Sequence, residues 1–179
     1  MKKIAILANQ EKTVCEAIVK YFQNKDIKII CVPPMPKEEM FEYFSSHDFD
    51  LIALCDYAEE LEPKVIELGR FINLHPSLLP AFKGKDAMTR AFTSGVKISG
   101  ITVHWITNEL GGGKIIAQYP VLIGNQTHFD EFKNAMQDIE CKIYPIVIEK
   151  VLEDKVFDFN DLFSGGCGEN CGGCGGCEK

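Results

Sequence analysis

The first half of the chain alternates short apolar runs with amphipathic segments, and this alternation restricts the possible folds more than any other feature. Four apolar runs have the length and composition of buried strands: 3–9, 27–32, 50–55 and 71–74. Three segments between them carry apolar residues at helical spacing: 13–22, 37–46 and 61–69. Strands that alternate with helices in this way predict a parallel sheet with helices on both faces.

The second half adds a different pattern. A helix is predicted over 87–94, and residues 100–107 alternate apolar with polar side chains, which is typical of a half-buried strand. A hairpin partner is predicted over 114–123, across the glycines at 111–113, and the longest amphipathic pattern, at 128–152, predicts a long helix. The sequence therefore indicates an α/β fold with a mostly parallel central sheet, an antiparallel hairpin at one side and helices on both faces.

Composition narrows the class of function. The 179 residues are 46% hydrophobic, which is too apolar for a disordered chain, and they contain no apolar run of about 18 residues that could cross a membrane. A net charge of -7 and a pI near 5.1 argue against an extended nucleic-acid footprint. The residues after Met1 lack the long apolar stretch of a secretory leader. We therefore expect a cytoplasmic protein that acts on small molecules and binds neither nucleic acid nor membranes. No pattern in the sequence indicates an oligomeric state.

The residues that follow the fourth predicted strand carry the clearest chemistry. Open α/β sheets bind ligands beyond the carboxyl ends of their strands, and here Asn73 and His75 stand two residues apart at such an end. That spacing puts both side chains on one side of an extended strand, about 7 Å apart along the chain. An amide donor and an imidazole can together hold a carbonyl oxygen and stabilise the oxyanion it becomes. On spacing alone, an incidental Asn and His at a strand end remains an open alternative.

Longer stretches around this pair resemble the folate-dependent formyltransferases, and most closely the purine-pathway branch that formylates glycinamide ribonucleotide. The matching text is NLHPSLLP at 73–80, SGITVH at 99–104 and NELGGGKIIAQ at 108–118. The resemblance covers roughly residues 1–153. It implies a Rossmann-like formyltransferase fold and 10-formyltetrahydrofolate as the formyl donor.

The resemblance also implies roles for individual residues. Asn73 would donate a hydrogen bond to the formyl oxygen, and His75 would stabilise the developing oxyanion and shuttle a proton. Ser77 would support the loop that follows. The residues expected to bind the folate donor are Leu54, Tyr57, Leu61, Thr107, Asn108 and Gly111. His104 lies at a matching strand position, where we expect a structural histidine.

Three departures from the family pattern affect the expected activity. Gly111 occupies the place where the family has a catalytic Asp. General acid–base catalysis of that kind raises the rate by about 10²–10⁴-fold, and we expect Glu109 to replace the missing carboxylate. The turn at 9–13 lacks the glycines that hold a ribonucleotide phosphate, so glycinamide ribonucleotide is not the expected acceptor. The segment 56–62 places several carboxylates where the family has an apolar pterin loop.

A separate segment at 164–179 contains glycine and four closely spaced cysteines. The spacing C-x3-C-x2-C-x2-C in Cys167, Cys171, Cys174 and Cys177 suits one Zn²⁺ ion or an iron–sulfur cluster, and thiol redox chemistry or metal scavenging is the alternative. The sequence thus divides into a formyltransferase-like domain over 1–163 and a tail that we expect to be flexible without metal. The other cysteines are expected to be buried thiols: Cys15, Cys31, Cys55 and Cys141.

Two functions follow from these observations. The first is an enzyme that transfers a formyl group from 10-formyltetrahydrofolate to a small-molecule amine other than glycinamide ribonucleotide. The alternative is a catalytically silent relative that binds a folate or nucleotide-like ligand and senses metal or redox state through the cysteine tail.

Overall fold

The computed structural model describes residues 1–8, 12–33, 35–55, 57, 61–108 and 113–158. The strands are β1 (Lys2–Ala8), β2 (Ile27–Val32), β3 (Leu51–Cys55), β4 (Phe71–His75), β5 (Ile98–Trp105) and β6 (Ile115–Leu122). The helices are α1 (Lys12–Phe22), α2 (Lys37–Ser45), α3 (Pro63–Ile66), α4 (Ala87–Thr93) and α5 (Phe129–Leu152).

The strands form one sheet in the order β2-β1-β3-β4-β5-β6. The first four strands run parallel to one another, whereas β5 is antiparallel to both β4 and β6. This arrangement confirms the mostly parallel sheet with an antiparallel hairpin at one side. Among the described helices, none is long and apolar enough to span a bilayer.

Two apolar cores lie on opposite faces of the sheet, because successive residues of a strand point to opposite faces. Ile72 and Leu74 of β4 pack into the core beneath α1 and α5, whereas Phe71 packs into the core beneath α2 and α3. Burying an aliphatic side chain of this size contributes about 1.5–3 kcal/mol. With a core on each face, β4 ends in the middle of the molecule, and its last polar residues are buried.

Two predictions about individual elements were wrong in detail. The strand predicted to be half-buried, β5, is buried on both faces from Ser99 to His104. The core beneath α1 and α5 covers one face, and the loop after β4 bonds to Thr102 on the other face through Ser77 and Leu79. The helix predicted over 61–69 is a single turn. It begins at Pro63, because proline is favoured at the first position of a helix. The residues after it form a 3₁₀-type turn, in which the N–H of Leu68 donates to the carbonyl oxygen of Val65, three residues earlier.

The expectation of buried thiols was confirmed for Cys55 and was wrong for Cys31. Cys55 of β3 lies inside the core beneath α1 and α5. Cys31 is exposed because β2 is an edge strand, and Cys15 and Cys141 are half-buried.

Candidate active site

Four polar side chains are buried together at the centre of the sheet. Asn73 and His75 point to the same face of β4, opposite to the face that carries Ile72 and Leu74, and each is only 5% exposed. In the antiparallel pairing, Asn73 stands opposite His104 of β5, and His75 stands opposite Thr102. Residues directly opposite each other share a face, so β4 and β5 present one buried polar patch.

The amide of Asn73 is fixed by the main chain of Tyr57. Tyr57 N–H donates to Oδ1 of Asn73 at 3.3 Å, and Nδ2 of Asn73 donates to the carbonyl oxygen of Tyr57 at 3.2 Å. This pair of bonds sets the orientation of the amide, since Oδ1 must face the N–H. The amide nitrogen has two hydrogens, so one remains to donate to another carbonyl oxygen.

The imidazole of His75 is neutral in this environment. Its Nε2 lies 3.2 Å from the carbonyl oxygen of Phe82, and because a carbonyl can only accept, Nε2 carries the hydrogen and Nδ1 the lone pair. Burial lowers the pKa of His75 below its usual 6.5; the bond to Phe82 raises it, and the charges of His104 and Arg90 lower it further. Phe82 itself has a φ of 55°, a conformation that non-glycine residues rarely adopt.

The loop after β4 is held by hydroxyl groups from inside the loop and from β5. Ser77 Oγ donates to the carbonyl oxygen of Ala81 at 2.7 Å, in agreement with a loop-supporting role. Thr102 Oγ1 donates to the carbonyl oxygen of Ser77 at 2.7 Å and accepts the N–H of Leu79 at 3.0 Å. The carbonyl oxygens of Ser77 and Ala81 and the N–H of Leu79 therefore have partners, which stabilises the loop that follows His75.

Gln118 of β6 completes this network. Its Nε2 donates to the carbonyl oxygen of Leu79 at 2.8 Å and to Thr102 Oγ1 at 3.1 Å. Neither Gln118 nor Thr102 was predicted as a functional residue. Both lie inside the stretches 99–104 and 108–118 that resemble the formyltransferases, and this was the signal available in the sequence.

The residues expected to bind the folate donor fall into two groups. Leu54, Tyr57 and Leu61 belong to the core beneath α2 and α3, at 0%, 8% and 6% exposure, next to Asn73 through the main chain of Tyr57. Thr107 and Asn108 are exposed and follow β5. Because β5 is antiparallel to β4, they leave the sheet at the end of β4 that lies opposite to His75.

The remaining predicted residues lie outside the described part of the chain. They are Glu109, Gly111 and the four tail cysteines, Cys167, Cys171, Cys174 and Cys177. Within the described residues, no group of three or more His, Cys, Asp or Glu side chains is arranged to hold a metal ion.

Comparison with known proteins identifies relatives of this chain. The family model described as "Formyl transferase" matches residues 9–148. Phosphoribosylglycinamide formyltransferase of Bacillus subtilis (strain 168) is 37% identical over 186 residues, which cover 85% of this chain and 95% of that protein. Formyltetrahydrofolate deformylase of the same organism is 33% identical over 135 residues, which cover 74% of this chain and 43% of that protein.

Solved structures show the same fold. The crystal structure of phosphoribosylglycinamide formyltransferase from Bacillus halodurans superposes with a TM-score of 0.79 at 25% sequence identity, and the match covers 88% of this chain and all of that one (100%). The fold class predicted from the sequence and the resemblance to folate-dependent formyltransferases are therefore both confirmed.

Proposed function

The chain belongs to the formyl transferase family, and from that premise we propose that it transfers the formyl group of 10-formyltetrahydrofolate to the amine of a small molecule. The names of its relatives, a phosphoribosylglycinamide formyltransferase and a formyltetrahydrofolate deformylase, support a formyl-folate substrate. The observation that carries the proposal is the buried pair Asn73 and His75 on one face of β4.

Asn73 binds the formyl oxygen in this proposal. One hydrogen of Nδ2 is bonded to the carbonyl of Tyr57, so the second is held in a fixed direction. As the amine attacks the formyl carbon, negative charge develops on the formyl oxygen. A donor that is already oriented in a buried site stabilises that charge without reorganisation, which is worth about 10²–10³-fold in kcat.

His75 moves the proton. Its neutral ring has the lone pair on Nδ1, so it can take a proton from the amine as the new carbon–nitrogen bond forms. The proton then goes to N10 of the folate as the bond between N10 and the formyl carbon breaks. The products are a formylated amine and tetrahydrofolate, and His75 is again neutral.

Glu109 supplies a carboxylate in this proposal, because Gly111 occupies the place of the family's Asp. A carboxylate near His75 would favour its protonated form during the transfer. We expect Glu109→Gln to lower kcat by about tenfold or more, with Glu67→Gln on the surface after α3 as the matched control. Equal kcat in both variants would remove Glu109 from the mechanism.

We assign the folate donor to two groups of residues. Leu54, Tyr57 and Leu61 lie next to Asn73 through the main chain of Tyr57 and would contact the donor beside its formyl group. Thr107 and Asn108, which leave the sheet at the end of β4 away from His75, and Gly111, which follows them in the sequence, would contact the rest of the donor. The acceptor is an amine other than glycinamide ribonucleotide, because the turn at 9–13 has no glycine. The protein would act on this amine in the cytoplasm.

The test is an activity assay on the full chain. Purified protein is incubated with 10-formyltetrahydrofolate and a panel of amines that includes glycinamide ribonucleotide, and tetrahydrofolate and formylated products are measured together. We expect formyl transfer that His75→Ala abolishes while folate affinity is unchanged. His47→Gln is the matched control, because His47 is exposed and stacks on Tyr43. Release of tetrahydrofolate in the absence of any amine would indicate hydrolysis. The absence of both transfer and hydrolysis would contradict the proposal.

The cysteine tail forms a second unit in this proposal. The formyltransferase-like domain covers 1–163, and the tail at 164–179 binds one Zn²⁺ or an iron–sulfur cluster through Cys167, Cys171, Cys174 and Cys177. Metal analysis and visible absorbance of the anaerobically purified full chain distinguish the two. Substitution of Cys171 and Cys174 by Ser should remove the metal, whereas Cys141→Ser should not. A colourless protein that takes up neither zinc nor iron and sulfide would contradict this assignment.

A further inference from the structure

Two cysteines far from the candidate active site lie in close contact. Cys15 is on α1 and Cys31 is on the edge strand β2, and their sulfur atoms are 2.8 Å apart. This distance is shorter than the sulfur–sulfur distance in a zinc site. Two thiolates bound to one Zn²⁺ by bonds of about 2.3 Å at tetrahedral angles have sulfurs about 3.8 Å apart. The contact therefore favours a sulfur–sulfur bond over a shared metal ion.

The fold produces this contact from residues that are well separated in sequence. β1 and β2 pair in parallel with Ile6 opposite Cys31, and α1 connects them across one face of the sheet. Val14 and Ile18 fix the helix in the core beneath α1 and α5, where both are fully buried. The adjacent position on the helix, Cys15, is thereby directed toward the sheet edge.

The two thiols differ in accessibility. Cys31 is exposed, whereas Cys15 is half-buried. Burial, together with the hydrogen bond and charge of Cys31 and the charge of Glu16, raises the pKa of Cys15 to about 12. A thiol reacts as its thiolate, so Cys31 is the first of the two to react and Cys15 reacts only with a partner already in contact.

An open groove leads to the pair. It has a volume of about 360 Å³ and is lined by Cys15, Glu16, Val19, Lys20, Gln23 and Cys31. The groove carries one ammonium group, on Lys20, and one carboxylate, on Glu16, so its charges balance. Because it is open, one end of a low-molecular-weight disulfide of the glutathione type can reach the pair.

We propose that Cys15 and Cys31 are a reversible disulfide site that is oxidised by a low-molecular-weight disulfide. Cys31 thiolate attacks one sulfur of the small disulfide, which forms a mixed disulfide and releases one small thiol. Cys15 then loses its proton and attacks Sγ of Cys31, which releases the second small thiol. Two electrons and two protons pass from the cysteine pair to the small disulfide, which is reduced to two thiols.

The bond ties α1 to the edge of the sheet. It closes a segment of 15 residues between the two cysteines, and constraining the unfolded chain in this way stabilises the native state. For a chain of this size we expect the melting temperature to rise by about 5–10 °C on oxidation and to return on reduction. The inference does not depend on formyl transfer, since its readouts are a peptide and a melting temperature.

A peptide map of the full chain tests the site directly. The protein is incubated with mixtures of oxidised and reduced glutathione, alkylated, and digested with trypsin without reduction. Peptide 13–20 contains Cys15 and peptide 29–37 contains Cys31, so the disulfide produces one linked species that tail disulfides cannot mimic. We expect this species to appear reversibly as the oxidised fraction rises. Its absence under conditions that oxidise the tail would overturn the proposal.

Single variants test the order of attack. In Cys15→Ser, the glutathione adduct should accumulate on Cys31, because the second thiol is missing. In Cys31→Ser, Cys15 should remain unmodified and the melting temperature should not rise. Cys141→Ser, in which a half-buried thiol of α5 is removed, should behave as the wild type does. An adduct on Cys15 in the Cys31→Ser variant would contradict the assigned order.

Discussion

The end of β4 and the edge of β2 use burial in opposite ways. At the end of β4, Asn73 and His75 are almost fully buried, and main-chain groups of Tyr57 and Phe82 fix their orientation. At the edge of β2, Cys31 is exposed and touches a partner that is only half-buried. In the first region, burial fixes the side chains of Asn73 and His75 in one orientation. In the second region, the thiol of Cys31 is accessible to reagents in solution.

The same physical effect acts on the titratable groups of both regions. Burial disfavours a charged form, so it lowers the pKa of His75 and raises the pKa of Cys15. Each group is thus kept neutral at pH 7. In the proposed transfer, the neutral ring of His75 provides a lone pair for the proton. In the proposed disulfide site, the neutral thiol of Cys15 reacts only after Cys31 has been modified.

The largest effect is expected from His75→Ala. In the proposed mechanism His75 moves the proton, so its removal should lower kcat by about 10²–10⁴-fold, while the affinity for folate should change little because the proposed binding residues remain. Steady-state kinetics and a folate titration measure the two quantities. A parallel loss of folate affinity would mean that His75 acts in binding rather than in proton transfer.

Asn73→Ala should have the next largest effect. It removes the proposed donor to the formyl oxygen, and it also removes the two hydrogen bonds between Asn73 and the main chain of Tyr57. We expect kcat to fall by about 10²–10³-fold. Asn73→Asp retains the acceptor for the N–H of Tyr57 but loses both donated bonds, the one to the carbonyl of Tyr57 and the one to the formyl oxygen. Full activity in Asn73→Asp would exclude the proposed donor role.

Thr102→Val tests whether the loop after β4 positions His75. The variant keeps the shape of the side chain but removes the hydroxyl that bonds to Ser77, Leu79 and Gln118. We expect kcat to fall by about tenfold and the free energy of unfolding to fall by about 1–3 kcal/mol. Thr102→Ser should restore both. Lost stability with unchanged kcat would show that this network supports the fold alone.

The smallest effect is the dependence of stability on pH. The unfolded chain protonates His75 near pH 6.5, whereas the native chain does so only at lower pH. Between those two values the unfolded state holds more protons, so the free energy of unfolding decreases as the pH falls below 6.5, and His75 adds no slope above it. Urea titrations of the wild type and His75→Gln should differ in slope only in that window. Identical slopes would contradict a lowered pKa.

The positions of the strands along the chain and the mostly parallel character of the sheet could be predicted because each strand has a local sequence pattern. Short apolar runs predicted β1 to β4, and the amphipathic pattern at 128–152 predicted α5. The half-buried interpretation of β5 was wrong because an alternating pattern shows only that one face is polar. Thr102 and His104 on that face are buried, and the loop after β4 bonds to Thr102 through Ser77 and Leu79. Such burial depends on the sheet order, which no single segment encodes.

In the candidate site too, some residues could be predicted from local sequence patterns, whereas others depend on the tertiary fold. Asn73 and His75 could be identified because their spacing and position at a strand end are local features. Thr102 and Gln118 could not be identified from local spacing, since their partner Leu79 is brought near only by the register of β4, β5 and β6. The contact between Cys15 and Cys31 likewise requires the pairing of β1 with β2, and so both residues were expected to be isolated buried thiols.

A crystal structure of the full chain with an unreactive analogue of the formyl donor would show whether Asn73 and His75 contact the formyl group. We expect the formyl oxygen to lie about 2.7–3.2 Å from Nδ2 of Asn73, with the imidazole of His75 beside the formyl carbon. A bound analogue whose formyl group contacts neither side chain would contradict it.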